Sequence, residues 1–478
     1  MKILLIPSRI DVARFLPLGI AYVAAYLQKN DYEVYIYDEI PDCKPFKEFF
    51  NECKPDIVGI SCMTSTYAKA CNFAEEIKSK DQEIPIIFGG IHPTSAIEET
   101  ISNKFVDYVV FGEGELTIVE LLEELKGDRR LEKVNGLAFK KNGRIIINEK
   151  RELIKDIDSL PMPARHLFNM DYYAQRWNWP RGYWLKTANM MSSRGCPFDC
   201  IFCASKVMFG KKFRYRSVGN TVDEIEQLVK RYGFECISLS DDTFSINKER
   251  AIEICREIRR RKIKLKIRVQ LRANTIWDEL IHELKNTGCI HIDIGVESGS
   301  SRVLNIIKKG ITVEQVKNSI AMIKKYKINC GVTFIIGTPD ESLEDINLTR
   351  ELARELDADY TQFFIMTPYP GTPLYYYAKD NNLFANGSQF KDFRHAGLGL
   401  KPILNGEISH KKLLELQDDL NKEFLGKIVK YYMLQPKFII DLFKIFITKP
   451  NLLIYFIKGL IENRNIGKSL KLILPHQI

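Results

Sequence analysis

The chain has 478 residues, about three times the ~150 of a typical domain, so it holds two or three domains with ample core. Hydrophobic residues at 45% and charged residues at 27% exclude a disordered, collagen-like or multi-span membrane chain. The net charge of +9 is too small to indicate a nucleic-acid partner, and none is expected.

From residue 1 to about 125, short apolar runs alternate with amphipathic, helix-length stretches. The runs are KILLIP (2–7), VYIYD (34–38), IVGIS (57–61), IIFGG (86–90) and YVVFG (108–112). Strands that are apolar throughout and separated by helices predict a doubly wound parallel sheet, an α/β domain. Ligands of such sheets sit beyond the carboxyl ends of the strands. The sequence puts Pro17, Gly19, Ser61, Thr64, Gly89, Gly90, His92, Gly112, Glu113 and Gly114 there. A tight turn accounts for one glycine at one strand end; four strand ends rich in Gly, Ser and Thr point to a ligand. The opening MKILLIPSRI lacks the long apolar core and cleavage site of a secretory signal, so a cytoplasmic protein is expected.

Residues 126 to about 185 are expected to be a linker. GLAFKKNGRIIIN (136–148) predicts a hairpin turning at Asn142-Gly143, and the two prolines of DIDSLPMPAR (156–165) break any helix. Six further strand-like runs follow, near 187–193, 236–241, 266–271, 291–296, 331–336 and 360–366, with helical segments between them. Six βα units over 186–378 predict a partial barrel rather than an eight-fold one. Residues 379–478 are expected to be a helical extension. Its last 57 residues carry ten Lys or Arg against three Asp or Glu.

The chemistry is concentrated in RGCPFDCIFCAS (194–205), just past the first barrel strand, where Cys196, Cys200 and Cys203 are spaced by three and two residues. Eleven cysteines in a reducing compartment are not a disulfide framework, so a tight set points to metal or cluster ligation. Three thiolates leave one iron of a [4Fe-4S] cluster with open coordination, where another molecule can bind. Zinc competes, but it wants a fourth protein ligand, and the next cysteine is the distant Cys236.

This spacing, with Phe202 directly before the last cysteine, resembles the radical S-adenosylmethionine superfamily. The resemblance implies that the open iron chelates the amine and carboxylate of S-adenosylmethionine. One electron from the cluster then cleaves the sulfonium to a 5′-deoxyadenosyl radical, which abstracts a hydrogen atom. It further implies Ser240, Asp241 and Asp242 near the methionyl amine, and Gln270, Arg272, Glu297 and Ser298 near ribose and carboxylate. Gly337 in FIIGTPDE (334–341) is implied at the adenine. A helix cap explains any one such residue; several in register weaken that account. A flavodoxin- or ferredoxin-type reductant is the implied partner.

PLGIAYVAAYLQKN (17–30), FGGIHPT (88–94) and VVFGEGE (109–115), joined through DIDSLPMPAR to the cysteines, resemble the cobalamin-binding members of that superfamily. They imply cobalamin held by residues 1–125 at the ten strand-end positions named above. The Asp-x-His-x-x-Gly motif that supplies an axial histidine in other cobalamin domains is absent. Cobalamin is therefore expected without a histidine ligand, its lower face against the first-strand or Thr64 loops, with His92 a loop or tail-binding residue. Methylation at an unactivated carbon of an apolar or lipid-like small molecule is the expected reaction. Radical cyclisation, as in the anaerobic magnesium-porphyrin ester cyclases, is the alternative within the family. A non-catalytic cobalamin-binding sensor would need no cluster, and the three cysteines argue against it.

Cys43, Cys53, Cys62 and Cys71 raise the radical methylthiotransferases, which hold a second cluster. Their flanking sequence does not match, and they are read as buried thiols. Segments 436–448 and 450–462 combine wide Phe, Ile and Leu faces with lysines, and are expected on the cytosolic face of an anionic membrane.

Overall fold

A computed structural model describes residues 1–9, 15–41, 43–176, 184–393, 402–433 and 436–448. The five apolar runs of the first 125 residues become β1 (Lys2–Pro7), β2 (Glu33–Ile36), β3 (Ile57–Ser61), β4 (Ile86–Gly89) and β5 (Tyr108–Val110). They pair in parallel in the order β2-β1-β3-β4-β5. Strand order reverses at β1, and the crevice between β1 and β3 is where such sheets take ligands.

The hairpin expected in a linker instead completes this sheet. β6 (Leu137–Lys141) pairs antiparallel with β5, and β7 (Arg144–Ile147) with β6, giving seven strands. Asn142 and Gly143, at φ 50° and 73°, turn between them in the conformation that matches strand twist. Leu137, Ala138 and Phe139 are buried, which is why the hairpin stays on the sheet. The proline-rich segment is strapped to both domains as well. Ala164 N donates to Ala21 O at 3.0 Å, and Arg165 Nη2 to Asn189 O at 2.9 Å.

The second sheet contains β8 (Thr187–Met190), β9 (Cys236–Leu239), β10 (Lys266–Leu271), β11 (Cys289–Glu297), β12 (Asn329–Ile336) and β13 (Tyr360–Ile365), parallel and in chain order. It is the expected partial barrel. Ser217, Asn247, Thr312 and Ser342 cap the helices that return between strands, each side chain accepting from a first-turn N–H. The open edge at β13 is covered by the helix His410–Met433. Gln417 and Asn421 donate to Phe363 O at 3.2 and 3.1 Å, and Asn421 Oδ1 accepts from Phe363 N at 3.0 Å. Side-chain amides thus take the place of a seventh strand.

The helix Pro436–Thr448 leaves Ile440, Phe443 and Ile447 exposed at 53%, 64% and 78%. The expectation for 450–462 lies outside the described residues. Among the described residues no helix is long and apolar enough to cross a membrane.

Candidate active site

Between β8 and the helix Ser205–Phe209 runs the cysteine loop. Gly195 enters it at φ 87°, and a β-carbon there would stand 2.5 Å from Lys212 O, so only glycine makes this bend. The loop is pinned on both sides: Ile201 N donates to Ile307 O, and Leu374 N to Ile201 O, each at 3.1 Å. All three thiols are free, with Cys200 buried and Cys196 and Cys203 half-buried beside the half-buried Phe202. Burial raises Cys196 and pushes Cys203 up to about 11, so both are neutral thiols until a metal displaces their protons. Among the described residues no three His, Cys, Asp or Glu close on one point, as zinc with its ~2.3 Å bonds to sulfur would require.

Arg272, at the end of β10, is 5% exposed and stacks over Phe198, its guanidinium carbon 3.8 Å from the ring centroid. Its Nη1 points at Cys200 Sγ at 3.7 Å, while Nε and Nη2 are buried without a partner. A buried guanidinium with two unmet N–H groups needs an anionic acceptor. Asp242 accepts from Ser205 Oγ at 2.5 Å, and the enclosing protein raises its carboxyl. Ser240 and Gln270 stand exposed at their strand ends.

Other strand-end residues hold partners within the protein. Asp241 is fully buried and accepts from Ser192 N at 2.6 Å, from Ser193 Oγ at 2.7 Å and from Ser192 Oγ, so it splices β9 to the end of β8. Glu297, at φ 71°, accepts from Lys309 Nζ at 2.6 Å. Ser298 Oγ meets Thr349 Oγ1 at 3.1 Å. The Gly337 N–H is taken by Glu341 Oε2 at 2.5 Å, and burial lifts that carboxyl to about 7. Leu413 of the covering helix packs on Gly337.

At the carboxyl edge of the first sheet lies a mainly apolar cavity of about 780 Å³. Gly19, Ser61, Gly89, Gly90, Gly112, Glu113 and Gly114 line it, which gathers seven of the ten predicted positions. Pro17, Thr64 and His92 do not line it. Pro17 precedes the first helix. His92 is buried between Tyr67 and Phe390 at 4.2 and 4.8 Å, its Nδ1 is 3.3 Å from Thr64 Oγ1, and burial holds it down to about 4. It is a neutral core histidine rather than a loop residue. Glu113 reaches the cavity wall but accepts from Arg194 Nη1 at 2.8 Å, Arg214 Nη1 at 2.7 Å and Ile154 N at 2.9 Å. The four N-terminal cysteines are scattered, Cys53 and Cys62 in the core, Cys43 near Tyr37 and Cys71 near Asn103.

Sequence reasoning missed the barrel's share of the cavity. Met191, Arg194, Met208 and Phe209 wall it, and Arg194 is bonded to Glu113 and Glu115. The available signal was position: Arg194 stands two residues before Cys196, and Phe209 six after Cys203.

A sheet domain with an apolar cavity at its ligand edge is set against a partial barrel with a three-cysteine loop, an arrangement suited to an enzyme that holds a cluster at the loop and a further cofactor at the cavity. The comparisons agree. The radical SAM superfamily model matches residues 190–353, and the B12 binding domain model residues 13–122. The chain is 37% identical over 394 residues to an uncharacterized methyltransferase of Pyrococcus horikoshii, covering 80% of this chain and 84% of that one. It is 30% identical over 379 residues to the anaerobic magnesium-protoporphyrin IX monomethyl ester cyclase of Cereibacter sphaeroides, covering 76% and 60%. In fold it matches the cobalamin-dependent S-adenosylmethionine radical enzyme OxsB, with TM-score 0.74, 19% identity, and coverage of 99% of this chain and 74% of that one. The chain belongs to the cobalamin-binding radical S-adenosylmethionine family and is a methyltransferase-like enzyme that uses a [4Fe-4S] cluster, S-adenosylmethionine and cobalamin.

Proposed function

We propose that Cys196, Cys200 and Cys203 hold the cluster, that the 780 Å³ cavity takes part of the cobalamin, and that the enzyme methylates an unactivated carbon of an apolar small molecule. One observation carries this reading: the cysteine loop and the cavity wall are the same stretch of chain, Arg194 to Phe209. When bound, the cluster with S-adenosylmethionine supplies hydrogen-atom abstraction, and cobalamin supplies a transferable methyl group. Arg272 offers two unmet N–H groups to an anionic group at the loop. Met191, Met208 and Phe209 keep water from the shared wall. No histidine is among the described residues lining the cavity, which supports a cobalamin that would be held there by Gly19, Ser61 and the glycines of the strand ends rather than by an imidazole. The exposed stripe of the helix Pro436–Thr448 supports an apolar substrate met at a membrane surface on the cytoplasmic side.

Anaerobic reconstitution tests the reading. The protein with its cofactors is expected to form 5′-deoxyadenosine and S-adenosylhomocysteine together under reduction, and Cys200→Ala to form neither. Undiminished turnover in Cys200→Ala would refute the cluster assignment. Formation of 5′-deoxyadenosine alone, with a product that gains no methyl group, would replace methylation by cyclisation.

A further inference from the structure

We propose that a surface groove over Cys203 is the docking site of a small acidic one-electron donor protein of the flavodoxin or ferredoxin class. The proposal rests on the reading that Cys203 is a cluster ligand. The groove, about 1130 Å³ and open to solvent, is lined by Thr94, Ile147, Lys150, Cys203, Lys206 and Tyr376 among others. Cys203 does not line the cobalamin cavity, so the groove is a separate approach to the same loop.

The surface around it has the composition of a docking site. Its centre is apolar: Ile147 and Tyr376 are exposed, with Ile145 and Tyr377 exposed beside them. Ile145 and Ile147 lie on β7, the edge strand of the first sheet, a place where exposed apolar residues are normally avoided. Its rim is basic. Residues 140–155 hold six Lys or Arg against two Glu, and Lys211 and Lys212 follow the helix Ser205–Phe209; of these Lys141, Arg151 and Lys155 pair with Glu132, Glu120 and Glu152, and Lys211 shares Asp199 with Lys206 of the groove. Arg144, Lys150 and Lys212 are exposed and, among the described residues, have no carboxylate partner. The segments are held in register by close packing, Gly210 against Leu153 and Gly371 against Val207 and Ser95. The Lys212 carbonyl is itself the seat of Gly195 at the mouth of the cysteine loop.

An apolar centre with a charged rim is the anatomy of a transient protein interface, and unpaired lysines steer an acidic partner to it. One electron passes from the reduced donor to the oxidised cluster. The donor loses one electron and the cluster gains one, with no bond made or broken at the surface. The substrate, being apolar in the reading above, has no use for a lysine rim.

The test uses reconstituted holoenzyme and an acidic bacterial flavodoxin. Calorimetric titration with oxidised flavodoxin is expected to show binding that weakens with salt and falls about tenfold or more in the double variant Lys150→Glu/Lys212→Glu. Tyr376→Ala, which removes no charge, is expected to weaken binding while keeping its salt dependence. Formation of 5′-deoxyadenosine driven by sub-saturating reduced flavodoxin should fall with affinity, while dithionite-driven formation stays at the wild-type rate. Flavodoxin that binds the charge-reversed protein as tightly as wild type overturns the proposal. Wild-type protein that binds flavodoxin through this groove yet makes no 5′-deoxyadenosine with dithionite refutes the cluster assignment while upholding the docking surface.

Discussion

At Gly19, in the first turn of the helix Leu18–Lys29, a β-carbon would meet nothing within 4 Å beyond its own stretch of helix. Its φ is not in the left-handed region, so neither backbone nor packing demands glycine, and a helix gains up to about 1 kcal/mol from alanine there. The space kept open belongs to the cavity. Gly90 is the contrast: at φ 97°, with Cys62 O 2.9 Å from its missing β-carbon, the protein itself demands glycine. Gly19→Leu is therefore expected to keep or raise the melting temperature and to abolish corrinoid retention on gel filtration. Retention unchanged would take the cavity out of the cofactor site. His92 carries a prediction of a different kind. Its folded value of about 4 lies below the ordinary 6.5, so the neutral ring's contribution is whole above pH 6.5 and is lost as pH falls towards 4. The loss over that interval is roughly 3 kcal/mol. Denaturant unfolding at several pH values should show this acid sensitivity reduced in His92→Gln, and an identical pH profile would contradict the buried, neutral assignment.

Among the elements, those set by local pattern were legible in the sequence. The five N-terminal strands and six barrel strands follow from apolar runs between helices, and the structure moves their ends by only a few residues. The Asn142-Gly143 turn identified a hairpin but not its partner, because pairing with β5 is a long-range choice that turn chemistry does not encode. Closure of β13 by Gln417 and Asn421 was equally hidden, since two amides on an amphipathic helix look like any solvated face. The cysteine triplet was legible because its spacing is specific. That Asp241, Glu113 and Glu297 also hold partners within the protein was not legible, because a carboxylate at a strand end looks the same in sequence whether it faces a cavity, a neighbouring side chain or, like Glu113, both. The helix Pro436–Thr448 allows a direct test of its exposed stripe. Burying an apolar side chain the size of Ile or Phe is worth roughly 1.5–3 kcal/mol, against about 1 kcal/mol for a basic residue near an anionic leaflet. The triple variant Ile440→Gln/Phe443→Gln/Ile447→Gln should thus lose flotation with anionic liposomes more completely than Lys437→Gln/Lys444→Gln, with 5′-deoxyadenosine formation retained in both. Equal flotation of the apolar variant and wild type would return the substrate to soluble metabolites.

For the whole molecule, the two domains are joined by buried charge. Glu113 and Glu115 of the sheet domain hold Arg194 and Arg214 of the barrel, with Arg194 also 5.1 Å over the ring of Tyr22. Next to them Glu224 binds Arg165 and Arg216, and Arg216 Nη1 reaches Tyr22 Oη at 3.5 Å. Burial pushes the Tyr22 hydroxyl up to about 12, so it stays a neutral phenol at this junction. Because Arg194 leads directly into Gly195 and Cys196 while walling the cavity, the network fixes the cofactor cavity relative to the cysteine loop. The two acids are not equivalent. Glu115→Gln leaves Arg194 still paired with Glu113, whereas Glu113→Gln strips Arg214 of its carboxylate and weakens Arg194 as well. Leaving a buried charge uncompensated costs about 3–5 kcal/mol. Anaerobic denaturant unfolding should therefore place Glu113→Gln well below Glu115→Gln in stability, and Glu113→Asp between Glu113→Gln and wild type. The same Glu113→Gln protein should split one cooperative transition into two, as sheet domain and barrel lose their common clamp. Equal costs for the two glutamates, or a single undivided transition in Glu113→Gln, would mean that apolar packing alone joins the domains and that Arg194 does not set the spacing between cavity and cluster loop.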